Sequence, residues 1–151
     1  MSMRRSMTVF LCLVIVFLTS CSSPSYRFDD NDIRISLIDY WTDGKTRSYT
    51  VAVSNNGKLD VKYVNMYLYY PIITANGSKG NDFKLEGRTD GRPNHIASGQ
   101  SLQFSFIAPI AEVFGASTLL DYDHPQIQFN GLVQEGKSQV SFAMSGGYLD
   151  M

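Results

Sequence analysis

Tyr63-Val64-Asn65-Met66-Tyr67-Leu68-Tyr69-Tyr70 is the stretch that decides the fold. Val64, Met66, Leu68 and Tyr70 alternate with Tyr63, Asn65, Tyr67 and Tyr69. Successive side chains of a strand point to opposite faces, so a period of two marks a strand with one face on a core. The partner face carries a row of tyrosines instead of charges. That face therefore needs its own explanation.

The same period recurs on both sides of this stretch. Ile33, Ile35 and Leu37 alternate with Arg34 and Ser36; Tyr49, Val51 and Val53 alternate with Thr50, Ala52 and Ser54. Downstream, Leu102, Phe104 and Phe106 alternate with Gln103 and Ser105, Ile127 and Phe129 with Gln128 and Asn130, and Val140, Phe142 and Met144 with Ser141 and Ala143. Asn55-Asn56-Gly57 marks a turn, and Phe83-Lys84-Leu85-Glu86 is a candidate edge strand. About seven strands in roughly 115 residues, punctuated by turns, predict an all-β sandwich over residues 32–146, followed by a tail at 147–151. Pro109 to Phe114 departs from the pattern. Ile110, Val113 and Phe114 share a helical face and Gly115 is a natural stop, so one helical turn is expected where the chain changes sheet.

Three segments carry a resemblance. Val51-Ala-Val-Ser-Asn-Asn-Gly57, Val64-Asn-Met-Tyr-Leu-Tyr-Tyr70 and Ser98-Gly-Gln-Ser-Leu-Gln-Phe-Ser-Phe106 resemble strand ends and entries in the immunoglobulin-like modules of bacterial envelope proteins. The resemblance implies an immunoglobulin-like sandwich acting as a non-catalytic binding or spacer module.

The amino-terminal segment has a different character. Arg4 and Arg5 precede an apolar run from Val9 to Leu18, and Leu18-Thr19-Ser20-Cys21 closes it. A positive start, an apolar core and small residues are the parts of a secretory signal. The four closing residues resemble the lipobox of bacterial lipoproteins. That resemblance implies a signal peptide at 1–20, recognition by the signal peptidase at Leu18, Thr19 and Ser20, and a diacylglycerol plus an N-acyl chain on Cys21. More than one acyl chain is what stable attachment requires. The apolar run is short for a bilayer span of about 20 residues. The plainer alternative is a secretory signal cut near Ser22 or Ser23. Residues 21–31 are polar and aperiodic, a linker with a reach of roughly 15–20 Å. Ser22 stands where enteric lipoproteins kept at the inner membrane carry Asp. The sorting rule therefore implies the outer membrane, facing the periplasm.

Composition limits the function classes. Of the two cysteines, Cys12 falls in the signal and Cys21 at the lipid site, so no disulfide is expected in the mature domain. Losing Arg4 and Arg5 takes the 13 basic residues to 11 against 14 acidic ones, near −3, and no basic stripe appears. Nucleic acid is not an expected partner. A content of 44% hydrophobic and 18% charged residues suits a folded domain.

Chemistry-bearing clusters are sparse. The two histidines are His95 and His124, and His124 lies in Asp121-Tyr122-Asp123-His124-Pro125, which reads as a polar turn before a strand. Asp29-Asp30-Asn31-Asp32 has the oxygen-rich start of a calcium loop but lacks its Gly and Glu positions. Ser98-Gly99-Gln100-Ser101 and the sequon-like Asn76-Gly77-Ser78 read as turns. No catalytic residue, metal site or cofactor is expected, apart from the covalent lipid on Cys21.

Two surfaces remain as binding candidates. One is the row Tyr63, Tyr67 and Tyr69, because tyrosine combines apolar area with a hydroxyl. The other is the long connection from Pro71 to Gly99, with Arg88 and Arg92, longer than a structural link requires. The expected function is a membrane-anchored envelope lipoprotein that docks another envelope protein as an accessory subunit. An inhibitor or immunity-type lipoprotein acting through Gly87 to Asn94 is the alternative, and a carbohydrate-binding or enzymatic module is a third.

Overall fold

The structure is a computed structural model, and it describes residues 27–91 and 94–149. The signal segment, the lipobox, the first part of the linker and Arg92 lie outside the described residues. A 3-10 turn at Asp30–Asp32 leads into ten strands: β1 (Ile33–Thr42), β2 (Thr46–Asn55), β3 (Val61–Tyr69), β4 (Ile72–Thr74), β5 (Gly77–Lys79), β6 (Leu85–Glu86), β7 (His95–Ile96), β8 (Ser101–Pro109), β9 (Gln126–Glu135) and β10 (Ser138–Gly146). The helical turn α1 (Ile110–Phe114) sits between β8 and β9 and ends at Gly115, in the left-handed region at φ 61°. Helix and stop fall where the sequence places them.

The strands form two antiparallel sheets. One has the order β1-β2-β8; the other runs β10-β9-β3-β6, with β7 also paired to β3. β4 and β5 form a separate hairpin around Ala75-Asn76. The chain crosses between the sheets after β2, after β7 and after β8, so each sheet is built from separated stretches of sequence. This is the immunoglobulin-like arrangement.

Alternation explains the core. Tyr49, Val51, Val53, Phe104, Phe106 and Ala108 face inward from the smaller sheet; Val64, Met66, Leu68, Ile127, Phe129 and Val133 face them from the larger, all buried. Phe104 and Phe129 meet edge to face across the interface, with ring centroids 6.3 Å apart. Removing either ring would cost about 3–5 kcal/mol.

Three features depart from simple alternation. β1 shifts register between Leu37 and Asp39, so Ile38 bulges out at 55% exposure and Tyr40 takes the inner position that strict alternation would give Asp39. β3 bulges between Lys62 and Asn65, where Tyr63 and Val64 together oppose Gly131. The bulge lets Val61 and Val64, three residues apart, both be buried. The third feature is Gly87, whose backbone N–H donates to Met66 O of the larger sheet. The next residue, Arg88, exchanges two backbone bonds with Ser105 of β8. A Cβ on Gly87 would lie 2.7 Å from Phe106 Cζ, so only glycine lets the chain cross that close to the core.

The described end of the expected linker at 21–31 lies against the sandwich. Phe28 stacks on Phe142 at 4.3 Å, and its N–H donates to Glu135 Oε1 at 2.7 Å. At the other terminus, Leu149 is 4% exposed and belongs to the core cluster.

Candidate binding surfaces

The site residues expected from sequence fall in different places. Tyr67 and Tyr69 occupy the outer face of the five-stranded sheet as intended, but both are half-buried. Lys84 lies over the Tyr69 ring at 5.2 Å, and Glu86 is the register partner of Tyr67. Tyr63 behaves differently. It sits in the β3 bulge with φ 53°, a left-handed conformation rare for an aromatic residue, and is 68% exposed. Arg88 does not join the tyrosines; its backbone pairs with β8, at the edge of the other sheet. Arg92 lies outside the described residues.

Around Tyr63 is a shallow depression of about 590 Å³, lined by Asn65, Asn130, Gly131, Leu132, Ser141 and Ala143 among others. Register explains its form. Asn65 faces Asn130, and Asn130 in turn faces Ala143. Next to the depression the outward residues of β10, Ser141, Ala143 and Ser145, are small, so a low terrace runs beside the taller side chains of β3. Outward positions of β9 are Gln126, Gln128, Asn130, Leu132 and Gln134: four amides and a leucine, none charged. Gln128 Nε2 donates to Asn130 Oδ1 at 3.1 Å, and Lys84 Nζ donates to Gln128 Oε1.

A second surface gave no strong signal in the sequence. On the outer face of the three-stranded sheet, Trp41, Ser48 and Ile107 are register partners in one row. Trp41 is 54% and Ile107 63% exposed, and the bulged Ile38 lies on the same strand as Trp41. Between them the central strand presents Ser48, Thr50 and Ala52, so the middle is smooth and low. Sequence could have suggested Trp41 from the doubled apolar pair Leu37-Ile38, which reverses the phase of β1; Ile107 needs the register.

The remaining clusters are structural. His124 Nδ1 lies 3.0 Å from Asp121, whose Oδ1 also accepts the His124 backbone N–H at 3.2 Å, and the histidine side chain is 77% exposed. This is a turn, as its sequence suggests. Asp29 accepts Asn31 N–H at 2.9 Å and caps the 3-10 turn. Ser98 lies in a turn, and its Oγ donates to Gly57 O at 2.6 Å, tying that turn to the one after β2. No group of three or more metal-ligating side chains occurs among the described residues. At the far end of the core, the hydroxyls of Tyr49 and Tyr70 meet at 3.2 Å. Burial pushes both phenols above their usual range; the bond to Tyr49 adds to the rise at Tyr70, while Tyr70 and Arg47 partly offset it at Tyr49. Arg47 donates to Tyr122 O and to Asp123 Oδ1, the latter at 3.2 Å, bracing the segment before β9.

The loop after β6 closes a polar cup of about 580 Å³ lined by Glu86, Gly87, Arg88, Thr89, Gly91 and Asn94. Thr89 Oγ1 donates to Asn94 Oδ1 at 2.8 Å, tying the loop across its base.

No family model and no curated relative matches the chain. Among solved structures, it is similar to a structural-genomics target designated SoR45, at 18% identity over 77% of this chain and 86% of that one, with a TM-score of 0.38. It is also similar to the GAE domain of yeast GGA1, at 10% identity over 81% and 95%, TM-score 0.41. A third is Spo0M, a sporulation control protein from Bacillus subtilis, at 17% identity over 80% and 49%, TM-score 0.32. None of these similarities bears on activity or partner.

Proposed function

We propose that this chain is a lipid-anchored, non-catalytic binding module of the bacterial cell envelope, an accessory subunit that docks another envelope protein. The anchor rests on Leu18-Thr19-Ser20-Cys21, with the positive start and apolar run before it. Among the described residues, no helix is long and apolar enough to cross a membrane. The proposed attachment is the acylated Cys21, at the outer membrane on its periplasmic side.

The observation that carries the docking role is the Trp41–Ser48–Ile107 row. An exposed tryptophan and two exposed isoleucines around a low Ser/Thr/Ala strand form an apolar patch with a polar rim, the anatomy of a protein-binding surface. The chain's direction supports its use. Phe28 enters beside the β9–β10 turn, and β1 then runs ten residues to Trp41 and Thr42, about 30 Å along the strand. A tether at the entry end presents this row away from the lipid.

Two experiments test the parts separately. Labelled palmitate should enter the wild-type chain and not Cys21→Ser; label on the variant would end the anchor reading. A photocrosslinker at position 41 or 107 should capture an envelope protein in cells, with Trp41→Ala abolishing its co-purification. Co-purification that survives Trp41→Ala and Ile107→Ser would remove the docking surface.

The inhibitor reading keeps one observation in its favour, the braced polar cup at Glu86 to Asn94. It predicts that replacing Gly87 to Asn94, and not Trp41, abolishes function.

A further inference from the structure

The geometry points to a second site on the opposite face: the Tyr63 terrace of the five-stranded sheet as a binding site for an uncharged glycan chain. The inference rests on the reading of this chain as a binding module and adds a ligand class and a place.

Backbone conformation gives the first argument. A tyrosine held at φ 53° carries a steric cost that glycine at the same position would avoid. Its ring is 68% exposed, so packing does not repay that cost. Strain kept at an exposed residue points to a use for the side chain. The bulge lifts this ring beside the terrace, out of the row formed by Tyr67 and Tyr69.

Chemistry of the lining gives the second. Asn65 and Asn130 are direct register partners, so their carboxamides stand side by side. Each offers a donor and an acceptor, the combination that matches hydroxyl groups, which both give and accept. Asn65 Nδ2 donates to Tyr63 O at 3.5 Å and Asn130 Oδ1 accepts from Gln128, but Asn65 Oδ1, the Asn130 N–H groups, the Ser141 hydroxyl and the Tyr63 hydroxyl have no protein partner among the described residues. A sugar ring has an apolar C–H face to lie on the Tyr63 ring and equatorial hydroxyls to meet the amides.

Other ligand classes fit less well. Anions are held by Arg or Lys, and no charged side chain lines the terrace; Lys62 is the register partner of Leu132 and Lys84 reaches Gln128, at its rim. An added peptide strand would join the open edge of the sheet at β10, two strands away from Tyr63, since β3 and β9 are inner strands. A wholly apolar partner would meet Leu132, Phe142 and Ala143 but would leave the Asn65 and Asn130 carboxamides and the Ser141 hydroxyl without water or partner.

The test uses the full acylated chain in a detergent without a sugar headgroup. It is titrated calorimetrically with uncharged tetrasaccharides of β1,4-linked N-acetylglucosamine, β1,4-linked glucose and α1,4-linked glucose, with a heparin tetrasaccharide as the charged control. Saturable binding of at least one uncharged chain is expected, indifferent to salt. Tyr63→Gly, which suits the backbone, and Asn130→Ala should each weaken it about tenfold or more, and Trp41→Ala should leave it unchanged. Three results would overturn the site: no uncharged chain binding up to about 10 mM, binding confined to heparin, or binding that both terrace variants retain. A protein captured by a crosslinker at position 63 would also overturn it. None of these results touches the palmitate label or the Trp41 crosslink.

Discussion

Tyr63 allows the backbone argument to be tested apart from any ligand. Replace it by Gly and by Ala. Both variants lose the same partly covered ring, so that contribution cancels in their difference. What remains is the conformation. A left-handed residue with a Cβ costs about 1–2 kcal/mol, which Gly avoids and Ala keeps. Gly gives back about 0.4–1 kcal/mol through the freer unfolded chain. Tyr63→Gly should therefore be more stable than Tyr63→Ala by about 0.5–1 kcal/mol. Asn65, two residues on and past the bulge, supplies the control: in ordinary strand geometry the order reverses, with Ala ahead of Gly by a similar amount. Urea unfolding followed by Trp41 fluorescence would read the pair at position 63 as a midpoint difference of up to about 0.5 M at unchanged slope. If Ala equals or exceeds Gly at position 63, the left-handed assignment is wrong, and the strain argument for the terrace goes with it.

Two further outcomes follow from buried polar groups. Asn55 is 1% exposed; its Nδ2 donates to Leu59 O at 2.8 Å and Ile96 O at 3.1 Å, and its Oδ1 accepts from Gly57 N–H at 3.1 Å. Asn55→Ala leaves these groups unpaired in the interior and should cost about 2–4 kcal/mol by urea unfolding, far beyond a surface substitution. The Tyr49–Tyr70 pair sets an alkaline limit. Its phenols keep their protons in the fold at pH values where the unfolded chain loses them, above about 10. The unfolded state then binds fewer protons, so stability is full below pH 10 and falls above it, by up to about 1.4 kcal/mol per pH unit for each phenol. Absorbance at 295 nm should show at least two of the nine tyrosines titrating only with unfolding; all nine titrating before unfolding would refute the burial.

What the sequence made legible depends on how local the determinant is. β3, β8, β9 and α1 are written in apolar spacing and in one glycine, and they stand where that spacing puts them. β4, β5 and β7 are two or three residues long, too short for any period to show. The candidate surfaces were harder, because a surface is assembled by register. Tyr67 and Tyr69 share a face through alternation alone. Trp41 and Ile107 meet only through Ser48, by two pairings that no local pattern encodes. Tyr63 was legible as a tyrosine on a strand but not as a bulge, since its residue type argues against a left-handed backbone. The clue was Val61 and Val64, both apolar and three apart, which a strand of period two cannot bury together. Arg88 looked like part of a loose loop, yet two backbone bonds to Ser105 fix it to the smaller sheet.

The strand order has a consequence in time. β2 finds its second partner in β8 and β3 finds its own in β9, with intervening chain that must be closed into large loops before either pairing forms. Loop closure of that size slows folding, and sheets built on such distant pairings assemble over milliseconds to seconds instead of microseconds. Hairpins β1–β2 and β9–β10 can form early, but each exposes an apolar face until the other arrives. A chain of this design stays open along its length until β9 is available to β3, and only that pairing closes its core.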